Sequence, residues 1–72
     1  MLKNNDILII FGQRIKELRL KKNLTQDQFA QLCNLHKNYI GMIERGERNP
    51  SLKNIETIAR AFEMSISDLM KF

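Results

Sequence analysis

Seventy-two residues, 43% of them apolar and one of them proline, set the scale of a single small globular domain and exclude a disordered or fibrous chain. One cysteine, Cys33, leaves no disulfide within the chain and fits a reducing compartment. A formal net charge of +4 suits an anionic partner without requiring one.

The first expected element is a helix over about 8–22. Phe11, Ile15 and Leu18 recur at i, i+4 and i+7, an apolar stripe between Gln13, Arg14, Lys16, Glu17 and Lys21. Two starts remain open: Asp6 as the cap, or Ile7, Leu8, Ile9 and Ile10 as an extended run. The apolar run 7–11 is too short to span a bilayer or to form a signal-peptide core, so a cytoplasmic chain with no membrane partner is expected.

Asn23 and Leu24 break the first pattern, and Thr25 with Gln28 forms a capping box for a second helix over 26–33. That helix is expected to bury Phe29, Leu32 and Cys33, with Ala30 against a close neighbour. Asn34 stands at a sharp turn, where it tolerates a left-handed backbone. The third helix runs over about 37–45 and stops at Gly46, a left-handed C-cap. Ser51 caps a fourth helix with Leu52, Ile55, Ile58, Ala59 and Phe62 inward. Ser65 caps a short fifth, with Asp68 as box partner and Ile66, Leu69 and Met70 on its buried side. The expected fold is a compact all-α domain of five helices spanning 1–72, with a helix-turn-helix at about 25–45.

A helical wheel of the third helix puts Ile40, Ile43 and His36 on the core side. Lys37, Asn38, Tyr39, Met42 and Arg45 then face outward, with Gly41 keeping the middle low. Lys donates to guanine, Asn pairs with adenine, and Tyr or Met meets a thymine methyl, so this face is equipped to read base edges. Glu44 falls near the core side of the third helix and Arg19 beside the apolar stripe of the first. A buried carboxylate needs a partner, and an Arg19–Glu44 ion pair is expected to join the two helices.

Gln26, Ala30, Asn34, Ile40 and Ile43 match the signature positions of the phage repressor and Cro-like helix-turn-helix family, the XRE family. The flanking RIKELRLKKNLTQ, IERGERNPSL and MSISDL resemble its framework, so the resemblance covers roughly residues 11–70 and implies a lambda-repressor-like fold. NYIGMIERGERNPSL is especially similar to restriction–modification controller proteins, which are short and dimeric. The resemblance implies that Arg19 and Glu44 are structural and that Gln26, Lys37, Asn38 and Tyr39 approach DNA. It places Arg48 and Asn49 on the phosphate backbone, where Lys22, Thr25 and Arg45 are also expected, and gives the fifth helix a share in a dimer. Two departures stand out: Asn34 replaces the usual Gly of the turn, and His36 the usual Ser, Thr or Asp cap.

The leading expectation is therefore a regulator of transcription, activator or repressor, that binds double-stranded DNA as a homodimer on a pseudo-palindrome. The dimer face is expected at Ile66, Leu69, Met70 and Phe72, with Ile9 and Leu20 on the first helix as the competing face. An antitoxin that grips a protein partner through residues 7–10 is the alternative class. No nucleophile with a base, paired catalytic carboxylates or phosphate-binding glycine loop suggests an enzyme. Cys33 and His36 are too few for a zinc site, so neither metal nor cofactor is expected.

Overall fold

Four of the five helices begin at a side-chain cap, and these caps set where the chain turns. The computed structural model describes residues 6–72. Its helices are α1 (Asp6–Lys21), α2 (Gln26–Cys33), α3 (Lys37–Glu44), α4 (Leu52–Ala61) and α5 (Ile66–Leu69). Thr25 Oγ1 accepts from the Gln28 amide at 3.0 Å while Gln28 Oε1 accepts from the Thr25 amide at 2.9 Å, closing a full capping box on α2. Ser51 and Ser65 hydroxyls accept from the Asn54 and Asp68 amides and start α4 and α5. Helix α1 runs through residues 7–10, which settles the open question of its start. Asp6 lies inside the helix, so the capping position falls outside the described residues.

Helices α1 to α4 stop where the backbone enters the left-handed region. Asn34 has φ 56° and Gly46 φ 77°, both at the turns expected for them. Asn23 and Glu63 also adopt positive φ, at 57° and 58°. Asn is the residue after Gly that best tolerates this region, so Asn23 fits the rule. Glu63 does not, and its sequence carries no sign of the turn it makes after α4.

The core lies where α1 crosses α3 and where α2 packs on α3 and α4. Phe11, Ile15, Phe29, Ala30, Cys33, Ile40, Ile43, Ile58, Ala59, Phe62 and Leu69 form one buried cluster. Within it the rings of Phe29 and Phe62 stack with centroids 4.3 Å apart. Burial among these side chains pushes the Cys33 thiol up to about 11, so it is a protonated packing group at neutral pH. Across the molecule, Arg14 on α1 donates to the carbonyls of Leu69 (3.1 Å) and Asp68 (2.9 Å), tying down the end of α5.

Four residues expected inside are exposed: His36, whose ring turns out to cap α3 instead of packing on the core, and three apolar side chains. Leu32 is 59% exposed because α2 turns Phe29, Ala30 and Cys33 inward, and Ala30 rather than Leu32 takes the close approach. Leu52 is 72% exposed: Ile58 is buried, Ile55 is half-buried, and the core tapers out before the first turn of α4. Met70 is 36% exposed because the short α5 has one fully inward position, and Leu69 fills it at 0%. Leu69 therefore belongs to the core of its own domain and not to a surface between two copies.

Gly12 makes the α1–α3 crossing close. A Cβ there would lie 2.7 Å from the Glu44 carbonyl oxygen and closer still to that of Ile43, both backbone atoms of α3. Helix propensity alone favours Gly12→Ala by about 1 kcal/mol. Overpacking against rigid backbone costs about 1–3 kcal/mol or more and should prevail. We expect a net fall in melting temperature by circular dichroism, on a scale of about 4–8 °C per kcal/mol for a domain this size. A rise would mean that propensity decides and the crossing has room.

Candidate nucleic-acid interface

Helix α3 is presented by a turn and a cap on one side and an ion pair on the other. His36 has an extended backbone (φ −75°, ψ 140°), and its Nδ1 accepts from the Asn38 amide at 3.1 Å. The imidazole thus does the work of the usual hydroxyl or carboxylate cap. At the C-terminal end the Glu47 amide bonds back to the Met42 carbonyl at 2.8 Å and the Gly46 amide to that of Ile43 at 3.0 Å. This turn ends α3 and sets Gly46 against Ile9 of α1.

Under α3, Arg19 Nε donates to Glu44 Oε2 at 2.7 Å and Nη2 to Oε1 at 3.0 Å, with both side chains almost fully buried. Arg19 Nη1 also donates to the Leu24 carbonyl at 2.8 Å. Gln26 Nε2 donates to Glu44 Oε1 at 3.0 Å, so the first residue of α2 is held by the carboxylate of α3. Among the described residues no buried side-chain nitrogen or oxygen lacks a partner.

On the outward side Gln26, Lys37, Asn38, Gly41, Met42 and Arg45 line one open depression. The sequence expected five of these to meet DNA, four at base edges and Arg45 at the backbone; the sixth, Gly41, forms the floor. Tyr39, expected among the base readers, stands apart. It is half-buried against the core, its hydroxyl accepts from Asn54 Nδ2 at 3.0 Å, and the Arg48 guanidinium lies 5.0 Å over its ring. Its place is the seam between α3 and α4, because its neighbour Ile40 takes the central core position. Lys22, Thr25 and Asn49 are exposed and lie outside the depression.

Three side chains were not singled out by the sequence reading. Arg14 and Asn54 serve packing and orientation through the bonds above. Glu47 accepts from Arg45 Nε at 2.9 Å and Nη2 at 3.2 Å. Hydrogen bonds from Arg45 hold the Glu47 carboxyl below its ordinary value, and Arg45 is raised in turn. The signal was an Arg and a Glu two residues apart, a spacing that pairs only because the chain turns at Gly46.

The helix-turn-helix family HTH_3 matches residues 15–69. The chain belongs to this family. Within the family it is 46% identical over 69 residues to control protein C.BamHI of Bacillus amyloliquefaciens, covering 94% of this chain and 85% of that one. It superposes with TM-score 0.83 on the restriction–modification controller protein C.AhdI of Aeromonas hydrophila, at 45% identity over 86% of this chain and 94% of that one. It also resembles the controller protein C.Esp1396I, solved as a tetramer with its natural 35 base-pair operator (TM-score 0.80, 34% identity, 90% of both chains covered). The lambda-repressor-like, all-α architecture is thus the architecture of this family.

The buried pair underlies this geometry, and its loss is measurable. Arg19→Ala leaves Glu44 buried with only Gln26 as a donor, and should destabilise the fold by about 3–5 kcal/mol. Replacing both residues by a matched apolar pair should recover part of that loss. A melting temperature for Arg19→Ala equal to that of the wild type would mean the charges are not coupled.

Proposed function

We propose that this chain is a sequence-specific, double-stranded DNA-binding regulator of transcription of the restriction–modification controller type. The observation that carries this reading is the depression on the outward side of α3, where Lys37, Asn38 and Met42 share one surface with a Gln26 locked by Glu44. Lys37 and Asn38 stand at the N-terminal end of α3, the end from which such a helix reads bases. In this reading Gln26, Lys37, Asn38 and Met42 face base edges in the major groove. Lys22, Thr25, Arg48 and Asn49 lie along the phosphates, with Tyr39 holding the Arg48 guanidinium in place.

Lys37→Ala and Asn38→Ala should each weaken specific binding by about 1–3 kcal/mol without changing the fold. Arg48→Ala should weaken binding to all sequences and flatten the log K versus log salt slope by about one unit. Wild-type footprints from both α3 variants would remove the recognition role from this face.

In the same reading the protein acts as a homodimer on a pseudo-palindromic operator, since one domain makes too few base contacts to select a site. Ile66, Met70 and Phe72 retain apolar surface, and exposed Leu52 lines a groove with Ile66 where α4 meets α5. A second copy covering that groove is the simplest reading. Leu52→Lys adds charge at an exposed position and should yield monomers in sedimentation equilibrium. If it stays dimeric while Leu20→Lys dissociates, the interface lies on α1.

A further inference from the structure

The exposed Arg45–Glu47 pair sits at the edge of the recognition surface, where a carboxylate is out of place. DNA carries one negative charge per phosphate, and an acidic side chain beside it raises the cost of approach. Glu47 nevertheless grips a cation on that very side. Which donors it takes, and which it leaves, can be read from the geometry.

A guanidinium has five N–H groups in one plane. Glu47 occupies the side edge, Nε–H and one Nη2–H, at 2.9 and 3.2 Å. Both Nη1 hydrogens and the second on Nη2 remain, and they form the end of the fork. Nη1 lies only 3.1 Å from where a Cβ on Gly41 would be, so the guanidinium lies across the bare backbone of α3. Its free end shares the depression with Gln26, Lys37, Asn38 and Met42. An end-on guanidinium matches the O6 and N7 acceptors of guanine in the major groove.

We propose that Arg45 reads a guanine, and that Glu47 is the positioning residue that turns it from the phosphates toward the base edge. The proposal rests on the DNA-binding reading given above. A phosphate clamp would gain nothing from a carboxylate partner, because the carboxylate lowers the net charge the phosphate meets. A base edge is neutral, and a guanidinium held by a carboxylate approaches it with its orientation already fixed. Glu47 is a carboxylate at neutral pH, and its hydrogen bonds from Arg45 lower it further, so the hold persists under binding conditions. Gly41 completes the arrangement by leaving room for Arg45 to lie flat.

The test is selection from a pool of duplexes with a randomised core, using the full chain as wild type, Arg45→Ala, Glu47→Ala, Gly41→Ala and Lys37→Ala. Wild type should enrich guanine at one position per half-site, by about 5- to 150-fold over other bases. Arg45→Ala should lose that preference and keep the rest. Glu47→Ala should reduce it at the same position, with an unchanged melting temperature. It should also steepen the salt slope, by up to about one unit, as the released Arg45 takes a phosphate. Gly41→Ala, which displaces the guanidinium, should reduce the same preference.

A uniform loss of affinity in Arg45→Ala, with every preference intact and a flatter salt slope, would assign Arg45 to the backbone and overturn the proposal. Intact guanine preference in Glu47→Ala would reduce the pair to an ordinary surface contact. If Lys37→Ala loses its own position while Arg45→Ala loses none, only this inference falls. If wild type enriches nothing, the DNA-reading function falls with it.

Discussion

The outward face of α2 and α3 hangs from the carboxylate of Glu44. It accepts from Arg19 on α1 and Gln26 on α2 while standing on α3, and Arg19 bonds onward to the Leu24 carbonyl before α2. Four segments therefore meet at one charge pair. Burying both charges carries a desolvation cost that their attraction offsets only with good geometry. What such a hub does well is fix register: α1, α2 and α3 cannot slide without unpairing a buried charge. For the proposed role of presenting two helices to a duplex at one angle, this matters more than net stability.

Close packing and the charge hub act together. Gly12 lets α1 approach the carbonyls of Ile43 and Glu44, which brings Arg19 within reach of the carboxylate. The stacked Phe29 and Phe62 anchor α2 to α4 on the far side of the core. With α2 so fixed, Gln26 becomes a rigid member of the outward face although it belongs to a different helix from its neighbours there. The outward depression is thus a composite of two helices, and its shape depends on the core behind it.

Much of this was legible in the sequence, for identifiable reasons. Caps announce themselves locally, so Thr25, Ser51 and Ser65 marked the starts of α2, α4 and α5, and Asn34 and Gly46 marked turns. Periodicity placed Phe11, Ile15, Ile40 and Ile43 inside. It failed for Leu32 and Leu52, because a short helix has several apolar residues and only its neighbours decide which of them turn inward. Met70 failed because a one-turn helix has room for one buried side chain, and Leu69 took it. The Tyr39–Asn54 bond and the Arg45–Glu47 pair depend on how α4 and the Gly46 turn are set in space, which no local pattern encodes.

The cap on α3 has a chemical consequence of its own. A ring nitrogen that accepts from a backbone N–H carries no proton, so the single proton of a neutral His36 sits on Nε2. That tautomer is chosen by the fold, and it turns the outer ring nitrogen into a donor at the start of the helix. Of the four capped helices, the one whose cap also offers a ring N–H donor is the one that carries Lys37 and Asn38.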